Sequence, residues 1–255
     1  MQTIISEQNK ILLLDTEKNK LTLLDGRYYY DSETQTFVPS VTTILSAYPK
    51  NAAFYEWLKK HGEQSDEIRD EAGRKGSIVH DLTERFDNGE VISLFNELQD
   101  YRMKISDWAF FERYVEFRSR FPFTIELNEQ NFVSSKIGYG GTIDRVIIMD
   151  GLRYLIDIKT SNYLGDEFWL QIAAYKKMYE KMTGNKVDRV GVLWLNSKTK
   201  TQGKAGDKQG AGYQLIEKED TTKDYDLFLS TKSLWENLNK NAKPKNITYS
   251  LTHKL

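Results

Sequence analysis

Two β-prone segments joined by a tight Asp-Gly turn constrain this chain most strongly. The segments cover residues 141–149 and 153–159, and the Asp150-Gly151 pair between them is typical of a two-residue hairpin turn. A helix is predicted over 166–182 and an apolar strand over 186–195. Helices, then a meander of strands, then a helix and a strand predict an α/β fold with a central mixed β-sheet flanked by helices.

The other segments fit one domain over residues 1–255. We expect a β-rich N-terminal edge with hairpins at 1–38, a helical region at 39–120, a core sheet and helix at 121–218, and a C-terminal helix and tail at 219–255. Within these regions, helices are predicted at 40–47, 52–60, 66–87, 98–118 and 221–239, and further strands at 123–127, 131–135 and 213–217.

Composition excludes several classes of protein. The chain has no cysteine, which rules out disulfides, thiolate zinc sites and cysteine-ligated iron–sulfur clusters and fits a reducing cytosol. No apolar run approaches eighteen residues and the N-terminus lacks a secretory pattern, so we expect a cytoplasmic protein without a membrane partner. The formal net charge is −1, so any nucleic-acid binding must come from a local basic patch.

Two carboxylates and a lysine mark the candidate site. Strand alternation places Asp144 on one face of its segment and Arg145, with its apolar neighbours, on the other, while Asp157 and Lys159 share a face. If the two strands pair, the three groups converge at one end of the sheet, where clustered carboxylates favour a hard cation. For an isolated Asp-x-Lys triplet the alternative is an exposed strand face with a salt bridge, and the preceding Gly-Thr-Ile-Asp, the hairpin and the downstream Gln-x-x-x-Tyr favour a site instead.

A histidine adds a metal-ligand candidate. His80 lies mid-helix, and neutral imidazole is a good ligand for divalent metals. Glu84 lies four residues on and shares its helical face, so it is a candidate to orient the ring. Glu126 precedes the meander and is a second carboxylate that we expect near the site. The alternatives are a structural histidine and two surface glutamates.

The order His80, Asp144, Asp157-x-Lys159 and Gln171-x-x-x-Tyr175 resembles the PD-(D/E)xK nuclease superfamily, and within it the RecB-like exonuclease branch. The segment at 38–45, with Trp57 downstream, is similar to phage exonucleases and the mitochondrial genome maintenance exonucleases. The resemblance covers roughly residues 38–182 and implies a restriction-endonuclease-like core. Two positions depart from the superfamily pattern, because Ile143 stands where a proline is usual and the second acid is Asp rather than Glu.

The resemblance implies a role for each matching residue. His80, Asp144 and Asp157 would ligate Mg²⁺ or Mn²⁺ together with the backbone carbonyl of Ile158. Lys159 would position or activate the attacking water. Gln171 and Tyr175 would support the site or the substrate. No iron–sulfur cluster is expected, because the chain lacks the cysteines that some relatives use.

The implied function is a metal-dependent DNA exonuclease that prefers single-stranded ends, acting in DNA repair or recombination, or in a host cytoplasm if a phage encodes it. Candidate DNA contacts are the aromatic Tyr55 and Trp57 and the loop lysines Lys198, Lys200, Lys204 and Lys208. Core packing of the aromatics and a solvated loop are the alternatives for these two groups. Two other functions stay open, namely a structure-selective endonuclease or repair nuclease on the same core and a catalytically inactive nucleic-acid-binding module.

Overall fold

The computed structural model describes residues 2–7, 10–15, 19–23, 25–100, 102–196 and 212–254. The strands are β1 Gln2–Glu7, β2 Lys10–Asp15, β3 Lys20–Leu23, β4 Tyr28–Asp31, β5 Thr36–Pro39, β6 Thr124–Ser134, β7 Tyr139–Met149, β8 Leu152–Lys159, β9 Arg189–Trp194, β10 Gln214–Lys218 and β11 Ile247–Ser250. The helices are α1 Val41–Leu45, α2 Ala52–His61, α3 Gln64–Asp87, α4 Leu94–Glu97, α5 Ile105–Arg120, α6 Glu167–Thr183 and α7 Thr222–Leu238.

A five-stranded mixed sheet flanked by helices forms the centre of the fold. Its strand order is β10-β9-β8-β7-β6, with β8 and β9 parallel and the β7–β8 and β9–β10 pairs antiparallel. The parallel pair is joined by α6, as a crossover between parallel strands requires. The predicted α/β class with a central mixed sheet is therefore confirmed.

The β7–β8 hairpin forms as the sequence predicts. Asp150 and Gly151 have φ angles of 52° and 77°, so both turn residues adopt the left-handed conformation that a two-residue hairpin needs. Arg145 pairs with Ile156 and Met149 with Leu152. This turn fixes the register of the two strands that carry the candidate site.

An apolar core lies between the five-stranded sheet and two helices. Buried side chains come from the strands and the residues next to them, from α3 and from α5; they are Val79, Tyr114, Phe117, Ile147, Met149, Tyr154, Ile156, Ile158, Leu193, Leu195 and Tyr213. A smaller cluster of Leu82, Met103 and Phe111 packs between α3 and α5. Burial of the apolar faces of these helices holds them against the sheet.

The helix predicted at 98–118 is wrong at its start. Instead, α4 ends at Glu97 and α5 begins at Ile105. Asp107 accepts a hydrogen bond from the backbone nitrogen of Lys104 at 3.0 Å, and the Asp100 carboxylate accepts one from the nitrogen of Arg102 at 2.9 Å. These side chains bind backbone donors just before α5, which favours a turn and a capped helix start over continuous helix.

The two strands predicted at 123–127 and 131–135 are one strand, β6. Glu129 interrupts its regular geometry with a φ of 44°. Its neighbours Leu127 and Phe132 are both buried, although they are five positions apart and regular alternation would place them on opposite faces. A single left-handed residue reverses which residues of the strand face the core, and it does so without ending the strand.

The chain divides into two compact units. One contains residues 49–130 and 142–225, and the other contains residues 1–48, 131–141 and 226–255. Within the second unit, β1, β2, β3 and β11 form an antiparallel sheet and β4 pairs with β5. Strands β1 to β5 lie in the N-terminal region that the sequence predicts to be β-rich, whereas β1 and β11 were not predicted as individual strands. The single-domain expectation stays a prediction.

Among the described residues, no helix combines the length and apolarity that crossing a bilayer requires.

Candidate metal centre

The β7–β8 hairpin brings the two predicted acids together. Extending the Arg145–Ile156 register by one pair places Asp144 opposite Asp157. The residues are only 7% and 2% exposed, respectively. Burying two carboxylates is costly unless cations or hydrogen bonds compensate, so their partners decide what this site can do.

Each acid has a distinct set of partners. Asp144 Oδ2 accepts a hydrogen bond from the Ile158 backbone nitrogen at 2.6 Å, and Asp157 Oδ1 accepts one from Gln171 Nε2 at 3.0 Å. Asp157 Oδ2 lies 2.7 Å from Lys159 Nζ, yet this buried atom accepts no well-aligned hydrogen bond from any described residue. The close partner of this oxygen is therefore an ammonium group, and two buried carboxylates beside one another fit the oxygen ligand set of Mg²⁺ or Mn²⁺.

His80 joins the acids from α3. Its Nε2 lies 3.1 Å from the Ile158 carbonyl oxygen, the backbone atom that the resemblance implicates in metal binding. Its Nδ1 lies 2.8 Å from Glu129 Oε1 and 3.7 Å from Asp144 Oδ2. His80, Glu129 and Asp144 together offer three ligand atoms that all lie within 4.8 Å of one another. Predicted ligands from α3, β7 and β8 therefore converge.

Charge and burial shift the pKa values of these groups. Burial raises the pKa of Asp157 to about 6 against the opposing effect of Lys159, and it also raises the pKa of Asp144. Burial alone would lower the pKa of His80, but Asp144 and Glu129 outweigh it and raise that pKa to about 9. The pKa of Lys159 rises because Asp157 and Asp144 overcome the effect of its burial. The site therefore favours bound protons or another cation.

The Gln171-x-x-x-Tyr175 pair on α6 faces this site. Gln171 Nε2, which donates to Asp157, also lies 3.3 Å from the Tyr175 hydroxyl, and Gln171 Oε1 lies 3.5 Å from Lys159 Nζ. The Lys159 ammonium stands 5.0 Å from the centre of the Phe168 ring. Both members of the pair are buried, so they support the acid and the lysine from within the protein.

Two predicted carboxylates take other positions. Glu84 was expected to orient the His80 ring, but the carboxylate that contacts the ring is Glu129, because β6 delivers it directly to Nδ1. Glu126 binds Arg153 through two hydrogen bonds of 2.6 and 3.0 Å. Arg153 is six residues before Lys159 on β8, which separates the two by about 20 Å. Glu126 is therefore not part of the site.

The predicted DNA contacts fall into two groups. Tyr55 and Trp57 lie on α2, a helix with no buried residue, and Trp57 stacks on Phe54 with ring centres 6.0 Å apart. Tyr55 is 53% exposed, so core packing does not account for it. The four loop lysines, Lys198, Lys200, Lys204 and Lys208, lie outside the described residues.

Sequence reasoning missed Glu129 and Arg145. Arg145 is 1% exposed and lies 3.2 Å from Glu129 Oε1 and 2.7 Å from Asp87 Oδ2. The sequence could have indicated Arg145, because a charged residue on the predicted apolar face of β7 must be buried and a buried arginine requires buried partners. Nothing local marked Glu129, which reaches the site only through the irregular geometry of β6.

No protein-family model matches this chain, and no curated protein is similar enough to it to count as a relative.

Proposed function

We propose that this protein is a metal-dependent DNA exonuclease that hydrolyses phosphodiester bonds and prefers single-stranded ends. The observation that carries the proposal is the convergence of Asp144, Asp157 and Lys159 at one end of the β7–β8 pair, with an Asp157 oxygen 2.7 Å from the Lys159 ammonium. The mixed sheet and its flanking helices are compatible with the restriction-endonuclease-like core that the sequence resemblance implies.

The chain's own residues have separate tasks in this proposal. His80, Asp144, Asp157 and the Ile158 carbonyl would hold Mg²⁺ or Mn²⁺. The ion would neutralise charge on the scissile phosphate and acidify the attacking water. Asp157 and Gln171 hold the Lys159 ammonium beside the acids, where it can stabilise negative charge or orient water. No iron–sulfur cluster enters this proposal, because the sequence contains no cysteine.

The preference for single strands is supported by α2. Its exposed aromatic residues offer flat surfaces on which unpaired bases can stack, and such stacking tolerates any sequence. The net charge of −1 gives no general attraction to a polyanion, so local contacts of this kind must supply the affinity. A role in DNA repair or recombination would follow from degradation of free ends.

The decisive test is cleavage of end-labelled single- and double-stranded DNA with Mg²⁺, Mn²⁺ or EDTA. Wild type should release short products only with a divalent cation, and Asp157→Ala and Lys159→Ala should reduce the rate by at least about a hundredfold. The exposed residues Asp70 and Lys223 provide matched controls, and their alanine variants should cut at the wild-type rate. Wild-type activity in either site variant would contradict the proposal.

The same assay separates the other two functions. A circular single strand should stay intact, because an exonuclease needs an end. Cutting of the circle would instead identify a structure-selective endonuclease. Binding of DNA in EDTA without release of nucleotides under any metal condition would identify a non-catalytic binding module.

A further inference from the structure

Glu129 adopts a backbone conformation that a glutamate rarely occupies. Its φ of 44° lies in the left-handed region inside an otherwise extended strand. For a residue with a Cβ atom this conformation costs about 1–2 kcal/mol. Strain of this kind persists where the surrounding contacts require it, and it is frequent at functional sites. The contacts of the Glu129 side chain are therefore expected to hold this conformation in place.

The Glu129 carboxylate is held between two cationic or donor groups. One oxygen, Oε1, lies 2.8 Å from His80 Nδ1 and 3.2 Å from Arg145 Nη1. Arg145 is itself fixed, because its Nε donates to Asp87 at 2.7 Å and its Nη2 to Thr83 at 3.1 Å. A guanidinium fixed in this way holds the carboxylate in one position against the imidazole.

The other ring nitrogen of His80 lies beside a backbone atom that the resemblance implicates in metal binding. Nε2 lies 3.1 Å from the Ile158 carbonyl oxygen, between the residues that carry the second acid and the lysine. A histidine that ligates a metal usually donates its other ring N–H to a carboxylate, which fixes the ring orientation. Nδ1 meets the Glu129 carboxylate in this way, with Asp144 Oδ2 3.7 Å from the same nitrogen, and Nε2 is left facing the Ile158 carbonyl.

We propose that Glu129 is the positioning residue of the site. It orients His80 so that Nε2 faces the Ile158 carbonyl, and Arg145 locks Glu129 in place. Glu129 Oε1 is engaged by both His80 and Arg145, and the guanidinium would repel a second cation at that oxygen. This inference deepens the proposed nuclease function and rests on it wherever a bound cation is concerned.

Mn²⁺ titration by calorimetry, without nucleic acid, tests the first consequence. Glu129→Ala should weaken Mn²⁺ binding about 10- to 100-fold, the usual loss when the partner of a ligating histidine is removed. Glu129→Gln keeps an acceptor oxygen at the same reach, so its loss should be smaller than that of Glu129→Ala. Glu126→Ala is the matched control. It removes a glutamate from the same strand, but this glutamate pairs with Arg153 and not with His80. Its Mn²⁺ affinity should equal that of wild type.

Nitrogen-15 NMR of the imidazole rings in metal-free protein tests the contact itself. The chain has only three histidines, so the His80 signals can be assigned by substitution. The Nδ1–H signal of a carboxylate-bound ring should be present in wild type and Glu126→Ala and lost in Glu129→Ala. If the alanine variant does not fold, Glu129→Gln is used instead, and the chemical shift of His80 Nδ1 should differ from that of wild type.

The outcomes separate the two proposals. If wild type binds no Mn²⁺, the nuclease proposal fails, and the NMR measurement alone decides whether Glu129 positions His80. If wild type binds Mn²⁺ and Glu129→Ala binds it equally well with unchanged His80 signals, the positioning role is overturned. If Glu129→Gln loses as much affinity as Glu129→Ala, Glu129 is a direct ligand and positioning is again overturned.

Discussion

His80 illustrates how burial and charge compete at a single residue. The side chain is 23% exposed, and its two ring nitrogens face the Glu129 carboxylate and the Ile158 carbonyl. In metal-free protein both nitrogens therefore have an acceptor in front of them, which favours the doubly protonated ring. The presence of Asp144 3.7 Å from Nδ1 adds to this preference.

We expect the stability of the metal-free protein to fall as pH rises from 6.5 to 9. The pKa of His80 is raised to about 9 in the folded state, so its contribution is complete below the unfolded value of 6.5 and is lost as pH approaches 9. The raised pKa of Asp157, about 6, acts in the same direction but at lower pH. The shift of the His80 pKa from 6.5 to about 9 corresponds to on the order of 3 kcal/mol in the unfolding free energy.

Urea denaturation in EDTA at both pH values measures this change. His80→Gln should remove most of the difference, because glutamine does not titrate. An equal fall in wild type and His80→Gln would assign the pH dependence to other groups.

Spacing in the sequence predicted part of the site at the residue scale. Asp144, Asp157 and Lys159 lie on two strands joined by a short turn, so alternation and register bring them together without knowledge of the rest of the fold. Glu129 contacts His80 across 49 residues, and Arg145 contacts Asp87 across 58. No local pattern encodes contacts of that range.

Two glycines show that the same substitution should change stability in opposite directions in a turn and in a helix. Gly151 has a φ of 77° in the β7–β8 turn, whereas Gly73 lies exposed within α3, and a Cβ atom at either position would meet nothing within 4 Å. Gly151→Ala should destabilise the protein by about 1–2 kcal/mol, because alanine is strained in the left-handed region. Gly73→Ala should stabilise it by about 1 kcal/mol, because alanine favours helix.

Urea denaturation of both variants checks the opposite signs. Gly151→Asn should retain more stability than Gly151→Ala, since asparagine tolerates positive φ. A neutral effect of Gly151→Ala would mean that the turn relaxes without cost.

The aromatic residues of α2, namely the exposed Tyr55 and the half-buried Trp57, give a second prediction at the scale of an element. Tyr55→Ala and Trp57→Ala should each weaken binding of a single-stranded oligonucleotide by about 1–3 kcal/mol, the usual value of stacking one base. Fluorescence anisotropy in EDTA measures binding without cleavage. Tyr249→Ala, which removes another exposed tyrosine, serves as the control and should bind as wild type does. Unchanged affinity in both α2 variants would remove this helix from the DNA-binding surface.

Element boundaries were predicted less well than element types. The helix α5 starts later than its apolar pattern indicates, because Asp100 and Asp107 bind nearby backbone nitrogens. β6 continues through Glu129, although its polar stretch reads as a break between two strands. In both places side-chain contacts, which a hydrophobic pattern does not contain, decided the local geometry.

At the scale of the whole molecule, a cation that binds only the folded protein must stabilise it. At a concentration one hundred times its Kd, Mn²⁺ should raise the unfolding free energy by about 2.7 kcal/mol. Asp157→Asn should lose most of this increase, because it removes a charged ligand atom. Thermal or urea denaturation with Mn²⁺ and with EDTA measures the difference. A wild-type protein whose stability does not respond to Mn²⁺ or Mg²⁺ would contradict the metal site.

The sequence by itself determined the β7–β8 hairpin, the α/β class and the meeting of two acids with one lysine. The hairpin and the meeting of the acids depend on turn geometry and alternation over fewer than about twenty residues, where the chain has few alternatives, and the class follows from the order of helices and strands. Only the tertiary structure decided that Glu129 rather than Glu84 contacts His80, that Arg145 lies buried against Asp87, and that β11 pairs with β3. Such contacts join distant segments, and they form because packing the whole chain leaves each buried charge and strand edge in need of a partner.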